Sequence, residues 1–251
     1  MLAGREPLGS FVPGTSLCMW ATSFLLGILA PKALKTSVLI QFLGTDDLFH
    51  RRFHSLTLNS FRDGAMTRQV LFVQGGGEGV HDNWDNKLVA SLERELGPGY
   101  SILYPRMPNE GDPSYAAWKA ALVEEIAGLD DGAIIVGHSI GGTVLVNVLA
   151  EVPTATTLSA VLLVAPPFVG EGGWPSDDVA PMGNAGARLP SATPIYLFQG
   201  SDDDTTPAVH LDLYARAIPQ AHIRRLEGRD HQLNNDMAEV AKEIRSLSPA
   251  G

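Results

Sequence analysis

Apolar residues fall along this chain in two alternating kinds of run. Short continuous runs at Gln69–Gln74, Ser101–Tyr104, Ala133–Gly137, Ala160–Val164, Ile195–Gln199 and His222–Leu226 read as strands. Longer stretches at Trp84–Leu96, Tyr115–Leu129, Ile140–Glu151, Pro207–Ala217 and Asp236–Leu247 read as helices. In the first of these, Leu88, Val89, Leu92 and Leu96 keep helical spacing; in the second, Trp118, Leu122, Ile126 and Leu129 do the same. Strands that stay apolar instead of alternating must be covered on both faces, which is the mark of a parallel sheet. Strand and helix in turn therefore predict a doubly wound α/β fold. Its sheet is mainly parallel, with about six strands, helices on both faces and right-handed crossovers. One stretch, Pro166 to Pro190, breaks the rhythm. It is rich in Gly and Pro and too long for a simple connection, so it is a candidate lid or pocket wall.

The clean rhythm begins at Met66. Residues 1–65 hold apolar runs at Leu17–Ala30 and Val38–Leu43 without a clear period. They carry six Lys/Arg and four Asp/Glu, whereas 66–251 carry twelve and twenty-four, so the acidic character lies in the second part. A secretory signal fits poorly, because Glu6 offsets Arg5 and Pro31 follows the one small-residue site. The apolar run is also shorter than the roughly twenty residues a membrane span needs. A hairpin of Val38–Leu43 and Leu56–Phe61 beside the main sheet is a second reading. The preferred reading makes 1–65 an N-terminal extension, non-native or disordered, ahead of one domain over 66–251 with Met66 as its natural start.

Composition narrows the function classes. At 251 residues with 45% apolar content, the chain is long enough for one α/β domain with a sizeable core. A net charge of −10 argues against nucleic-acid binding, which wants a basic face. Cys18 is the one cysteine, so neither an intrachain disulfide nor a cysteine metal site is expected. Nothing then requires an oxidising compartment, and a cytoplasmic location is expected.

Ligands in open α/β sheets sit at the carboxyl ends of the strands. There the chain places Gly75-Gly76-Gly77-Glu78-Gly79, Gly137-His138-Ser139-Ile140-Gly141-Gly142, Gly200-Ser201-Asp202-Asp203-Asp204 and Gly228-Arg229-Asp230-His231. Ser139 lies in Gly-x-Ser-x-Gly between a strand and a helix, the context of a nucleophile elbow. Small neighbours let strand and helix pass close at such a turn. A serine hydroxyl needs a base, and imidazole serves at neutral pH. His231 follows the last strand and fits that role. His138 adjoins Ser139, but its side chain points away at a tight turn. His50, His54, His81, His210 and His222 read as surface or packing residues.

An acid must orient the base. Asp203 sits where its loop should turn back, with Asp204 the main alternative. Asp202 and Asp204 then point elsewhere, toward capping the following helix. A cation site is the other reading of three acids, but no further ligands of recognisable spacing complete it. Developing negative charge on a substrate carbonyl oxygen needs backbone N–H donors. Ile140 is one, and Gly76 the second, with Gly77 as alternative. A phosphate loop is excluded at both glycine stretches, since neither has the required lysine.

With these stand Tyr104-Pro105-Arg106-Met107-Pro108 and, farther on, Trp118. On these motifs the chain from Met66 onward resembles the α/β-hydrolases. Within them it is most similar to the small serine hydrolases grouped with the retinoblastoma-binding serine hydrolase. It departs at Gln74, where many relatives have histidine, and residues 1–65 have no counterpart. The resemblance implies a serine hydrolase that cleaves an ester-like acyl substrate through an acyl-enzyme, with Ser139, Asp203 and His231 as its triad. The residues as read predict no cofactor and no metal, a small-molecule acyl substrate as partner, no nucleic acid and no stable membrane insertion. Phe168, Trp174 and Met182 either line an acyl pocket or pack beneath the irregular loop. The competing class is a non-catalytic binding protein with a vestigial triad. The intact Ser, Asp and His weigh against it.

Overall fold

Residues 67–247 are described by the computed structural model of the chain. They form strands β1 Arg68–Val73, β2 Tyr100–Leu103, β3 Ala133–His138, β4 Leu158–Val164, β5 Ile195–Gly200 and β6 His222–Leu226. The strands make one sheet in the order β2-β1-β3-β4-β5-β6, with every neighbouring pair parallel. The helices are α1 Asn86–Leu96, α2 Tyr115–Ala127, α3 Ser139–Glu151, α4 Val209–Ala217 and α5 Ala238–Ser246. The expectations for residues 1–65, including the hairpin and the start at Met66, lie outside the described residues.

The continuous apolar runs have the reason anticipated for them. Leu71, Val73, Ile135, Leu163 and Leu197 share one core with Trp118 and Leu122 of α2, Leu145 and Val148 of α3, and Leu211 and Tyr214 of α4. Their alternates Val70, Phe72, Ile134, Val136, Leu162 and Phe198 share the other core with Leu88 and Leu92 of α1 and Val240 and Ile244 of α5. Each inner strand is thus buried on both sides and has no polar face to show. The edge strands differ. β2 is half-buried along its length, and β6 carries Arg224 and Arg225, which discourage pairing with a further strand.

Three helices begin later than expected, and α3 begins one residue earlier, at Ser139. The first was expected at Trp84, but a π-turn over His81–Asp85 precedes α1. This widened turn leaves Trp84 52% exposed and turns Asp85 fully inward. Near Pro207, a turn in which His210 N–H meets the Pro207 carbonyl comes first, so α4 begins at Val209. Asp236 stands outside α5 and accepts the Ala238 N–H at 3.0 Å.

The stretch from Pro166 to Pro190 is irregular but fastened. Thr143 of α3 and Tyr214 of α4 both donate to the Pro167 carbonyl, at 2.6 and 3.1 Å. Phe168, Val179, Met182 and Ala185 are buried beneath it. No helix among the described residues is long and apolar enough to cross a membrane.

Candidate active site

β1 and β3 are neighbours, but their chains leave toward opposite faces: β1 leads to α1, β3 to α3. In open α/β sheets, such a divergence is where ligands sit, at the carboxyl ends of the strands. The glycine loop and the Ser139 turn meet there. Ser139 has φ +50°, the left-handed region that non-glycine residues adopt only under constraint. The constraint is close packing. A Cβ on Gly137 would stand 2.7 Å from Gly142 Cα, and one on Gly141 would run into the carbonyl of Gln74, the residue that follows β1.

Ser139 Oγ lies 3.0 Å from His231 Nε2, and His231 Nδ1 lies 2.9 Å from Asp203 Oδ2 and 3.1 Å from Oδ1. The three residues arrive from the ends of β3, β5 and β6 and form one hydrogen-bonded line. Asp203 is also bound by its own loop. Its Oδ1 accepts N–H groups of Thr205 and Thr206 at 2.9 and 2.8 Å, and its Oδ2 accepts the Gln199 amide. Burial pushes the Asp203 carboxyl up, yet the His231 bond and these N–H donors outweigh it and hold it below the usual carboxylate range.

The neighbouring acids point apart. Asp202 accepts the Ser201 hydroxyl and Asp204 faces Thr205 Oγ1, both at the surface. Neither caps α4, contrary to the expectation that they point toward capping it. The residue at that cap is Ala208, without a side-chain bond, and the turn before it is held by Asp203 instead. His231 sits on a cross-braced loop. Asp230 Oδ1 accepts the N–H of Gln232 and Asn234, while Asn234 Oδ1 accepts the N–H of Asp230. Leu233, Asn234 and Asn235 all have positive φ just beyond it, a strained turn that this bracing offsets.

The two candidate glycines are no longer equivalent. Gly77 N–H is spent on the Glu110 carbonyl at 2.6 Å. Gly75 N–H is spent on Asp85 Oδ2 at 2.7 Å. Gly76 packs on Ile140, so closely that a Cβ there would come 2.7 Å from Ile140 Cγ2. Of the two, Gly76 alone shows no partner for its N–H among the described residues.

Gln74 holds this loop from beneath. Its Oε1 accepts the Met107 N–H at 3.0 Å, and its amide donates to Glu110. Trp118 donates to the Pro108 carbonyl at 2.7 Å, so the Tyr104–Pro108 segment and α2 support the same corner. His138 gives neither ring nitrogen to Ser139; Asp85 and the His231 carbonyl take them. Sequence reasoning missed Asp85, Gln199 and Glu110 as parts of this site. For Asp85 no signal existed, since it looks like Asp82 until the π-turn buries one and exposes the other.

The other histidines pack. His81 stacks on Tyr104 at 4.1 Å and His222 on Tyr196 at 4.8 Å. His210 accepts the Phe168 N–H, and burial holds its pKa below the usual range. His50 and His54 lie outside the described residues. Phe168 and Met182 belong to the core; Trp174, 39% exposed, stays at the surface against His210.

A sequence profile of the alpha/beta hydrolase family matches residues 70–221. No curated protein matches the chain. Among solved structures, the ydeN gene product from B. subtilis is 18% identical with a TM-score of 0.58, over 72% of this chain and 98% of that one. A thioesterase domain from the curacin biosynthetic pathway is 16% identical, TM-score 0.55, over 73% and 92%. The esterase domain of a Rhodothermus marinus protein is 21% identical, TM-score 0.53, over 73% and 86%. At these identities the likeness is one of fold.

Proposed function

Because the chain belongs to the alpha/beta hydrolase family, we propose that it is a serine hydrolase that cleaves an ester-like acyl substrate. One observation carries this reading: Ser139 Oγ at 3.0 Å from His231 Nε2, with Asp203 on the far ring nitrogen. That order matches what acyl transfer needs. Asp203, ionised, keeps the His231 proton on Nδ1 and leaves Nε2 free to accept. Nε2 takes the Ser139 proton as Oγ attacks the substrate carbonyl carbon. The oxyanion is held by the N–H groups of Ile140, at the N-terminus of α3, and Gly76. Protonated His231 returns the proton to the leaving alkoxide as the ester C–O bond breaks. Water then gives a proton to His231 and adds to the acyl carbon, releasing the acid and restoring Ser139.

Two similar structures bear the names esterase and thioesterase, and we extend acyl hydrolysis to this chain in that sense. The finer kinship, to the retinoblastoma-binding serine hydrolases, is part of the same reading. Its support is that Tyr104–Pro108 and Trp118 form one bonded corner under the glycine loop.

A fluorophosphonate probe tests the proposal. It should label the wild-type protein at Ser139 and leave Ser139→Ala unlabelled. Short p-nitrophenyl esters should be turned over by the wild type and by neither Ser139→Ala nor His231→Ala. A folded wild type that stays unlabelled beside a labelled control hydrolase defeats the reading.

A further inference from the structure

Beneath the Ser139–His231–Asp203 line lies a second ionisable pair that this mechanism leaves unused. His138 and Asp85 are 1% and 0% exposed. His138 Nδ1 is 3.0 Å from Asp85 Oδ2, and its Nε2 is 3.1 Å from the His231 carbonyl oxygen. A neutral imidazole has one donor nitrogen and one acceptor. Here the carbonyl only accepts, and so does the carboxylate while ionised. Asp85 has other donors to keep it ionised: Gly75 N–H at 2.7 Å and the Gln232 amide at 3.4 Å. Both nitrogens of His138 then carry hydrogen, and the ring is an imidazolium.

The electrostatics run the same way. Burial pushes His138 down, but the charge and hydrogen bond of Asp85, with smaller help from the His231 carbonyl and Asp203, lift it above the usual histidine range. Burial pushes Asp85 up, but His138, Gly75 and Gln232 bring it below the carboxylate range. Asp85, Asp203 and the His231 ring, 5.0 Å away, are the titratable groups facing His138.

Stability is a poor account of such a pair, since apolar residues of equal volume often do as well. Where its bonds go is the better account. They reach Gly75 in the loop after β1, the turn that carries Ser139, and His231 with Gln232 in the loop after β6. These are three of the four loops that build the site.

We propose that the Asp85–His138 pair is a positioning device, which holds the His231 main chain and the glycine loop in fixed relation to Ser139. Its effect on rate rests on the serine-hydrolase reading; the contacts do not.

Two amide variants separate positioning from mere packing. His138→Asn keeps a nitrogen near the Nδ1 position, toward Asp85, and loses the donor to the His231 carbonyl. His138→Gln places its amide nitrogen near the Nε2 position and restores that donor. His138→Asn should lower kcat roughly tenfold at unchanged KM, the loss expected for one charged hydrogen bond. His138→Gln should recover most of it, with thermal midpoints alike in the two variants. Nitrogen NMR of the resting protein reads the contacts without activity. His138 should show two protonated nitrogens at about pH 8, where a free histidine is neutral, and one in Asp85→Asn. The His231 Nδ1–H resonance should broaden in His138→Asn and sharpen again in His138→Gln. A neutral His138 at that pH overturns the proposal. So do equal kcat losses in the two amide variants that track their thermal midpoints. If the wild type fails to label with fluorophosphonate, the hydrolase reading falls by itself, and the NMR outcomes still decide the positioning role.

Discussion

Asp203→Asn should abolish turnover while leaving substrate binding intact, and the reason lies in which contacts can rotate. Asp203 Oδ1 faces two backbone N–H groups, Thr205 and Thr206, which cannot turn away. An asparagine must keep its oxygen there. Its NH2 group then replaces Oδ2, against the Gln199 amide and His231 Nδ1. The Gln199 amide is itself fixed by the Thr206 carbonyl at 3.0 Å. His231 is the partner free to respond, and it does so by moving its proton to Nε2. The Nε2–H then faces Ser139 Oγ and accepts nothing. A wrong tautomer of this kind costs about 10⁴ in kcat, or roughly 5.5 kcal/mol of barrier. The donor–donor contact with Gln199 costs a further ~1–3 kcal/mol in stability. Ester turnover and urea unfolding, measured on the same preparation, report the two effects separately. Asp204→Asn is the control. Its carboxylate meets only Thr205 Oγ1 at 3.4 Å on the surface, so kcat should stay within about twofold and stability within ~0.5 kcal/mol. An Asp203→Asn enzyme within tenfold of wild type refutes the argument, and loss in Asp204→Asn instead would move the acid to that residue.

Further expectations concern the frame. Gly141→Ala places a Cβ into the Gln74 carbonyl, a backbone atom that cannot swing aside. It should cost about 3 kcal/mol or more in urea unfolding; a loss under about 1 kcal/mol would mean that α3 and β1 part easily. Leu162→Ala, fully buried on the central strand β4, should cost ~2–5 kcal/mol, and an unchanged melting midpoint would contradict that packing. Stability should also bend at both ends of the pH scale. Asp85 and Asp203 have depressed pKa values, so their contribution is complete above the usual carboxylate range near pH 4 and is lost as pH falls through the lower folded values. His138 is raised, so its contribution is complete below about pH 6.5 and is lost as pH rises through the higher folded value. Melting midpoints against pH should show both limbs, with the acid limb shallower in Asp203→Asn and the alkaline limb absent in His138→Gln.

The strand and helix order was legible because burial on both faces writes itself into composition. A parallel strand such as Ile134–Val136 must be apolar throughout, and Trp118, Leu122 and Ile126 must recur at helical spacing to reach it. The Ser139 motif was legible for a similar reason: a turn that drives strand and helix together leaves room only for glycine at 137, 141 and 142. Helix starts were less legible. Competing turns at Pro207 and Asp236, and the π-turn at His81–Asp85, depend on hydrogen bonds that the apolar rhythm does not record.

By itself, then, the sequence determined an alternating α/β chain with a Gly-x-Ser-x-Gly turn and three further loops at one sheet edge, because backbone sterics and burial restrict which residues fit. Tertiary structure alone decided among equals. Asp203 rather than Asp204 meets His231, Gly76 rather than Gly77 keeps its N–H free, and Asp85 rather than Asp82 joins His138. These choices turn on differences of one to three residues within loops and turns. Direction there is set by which donor or carbonyl, near or distant in the chain, the folded loop brings within reach, and neighbouring residues of the same type carry no mark of it.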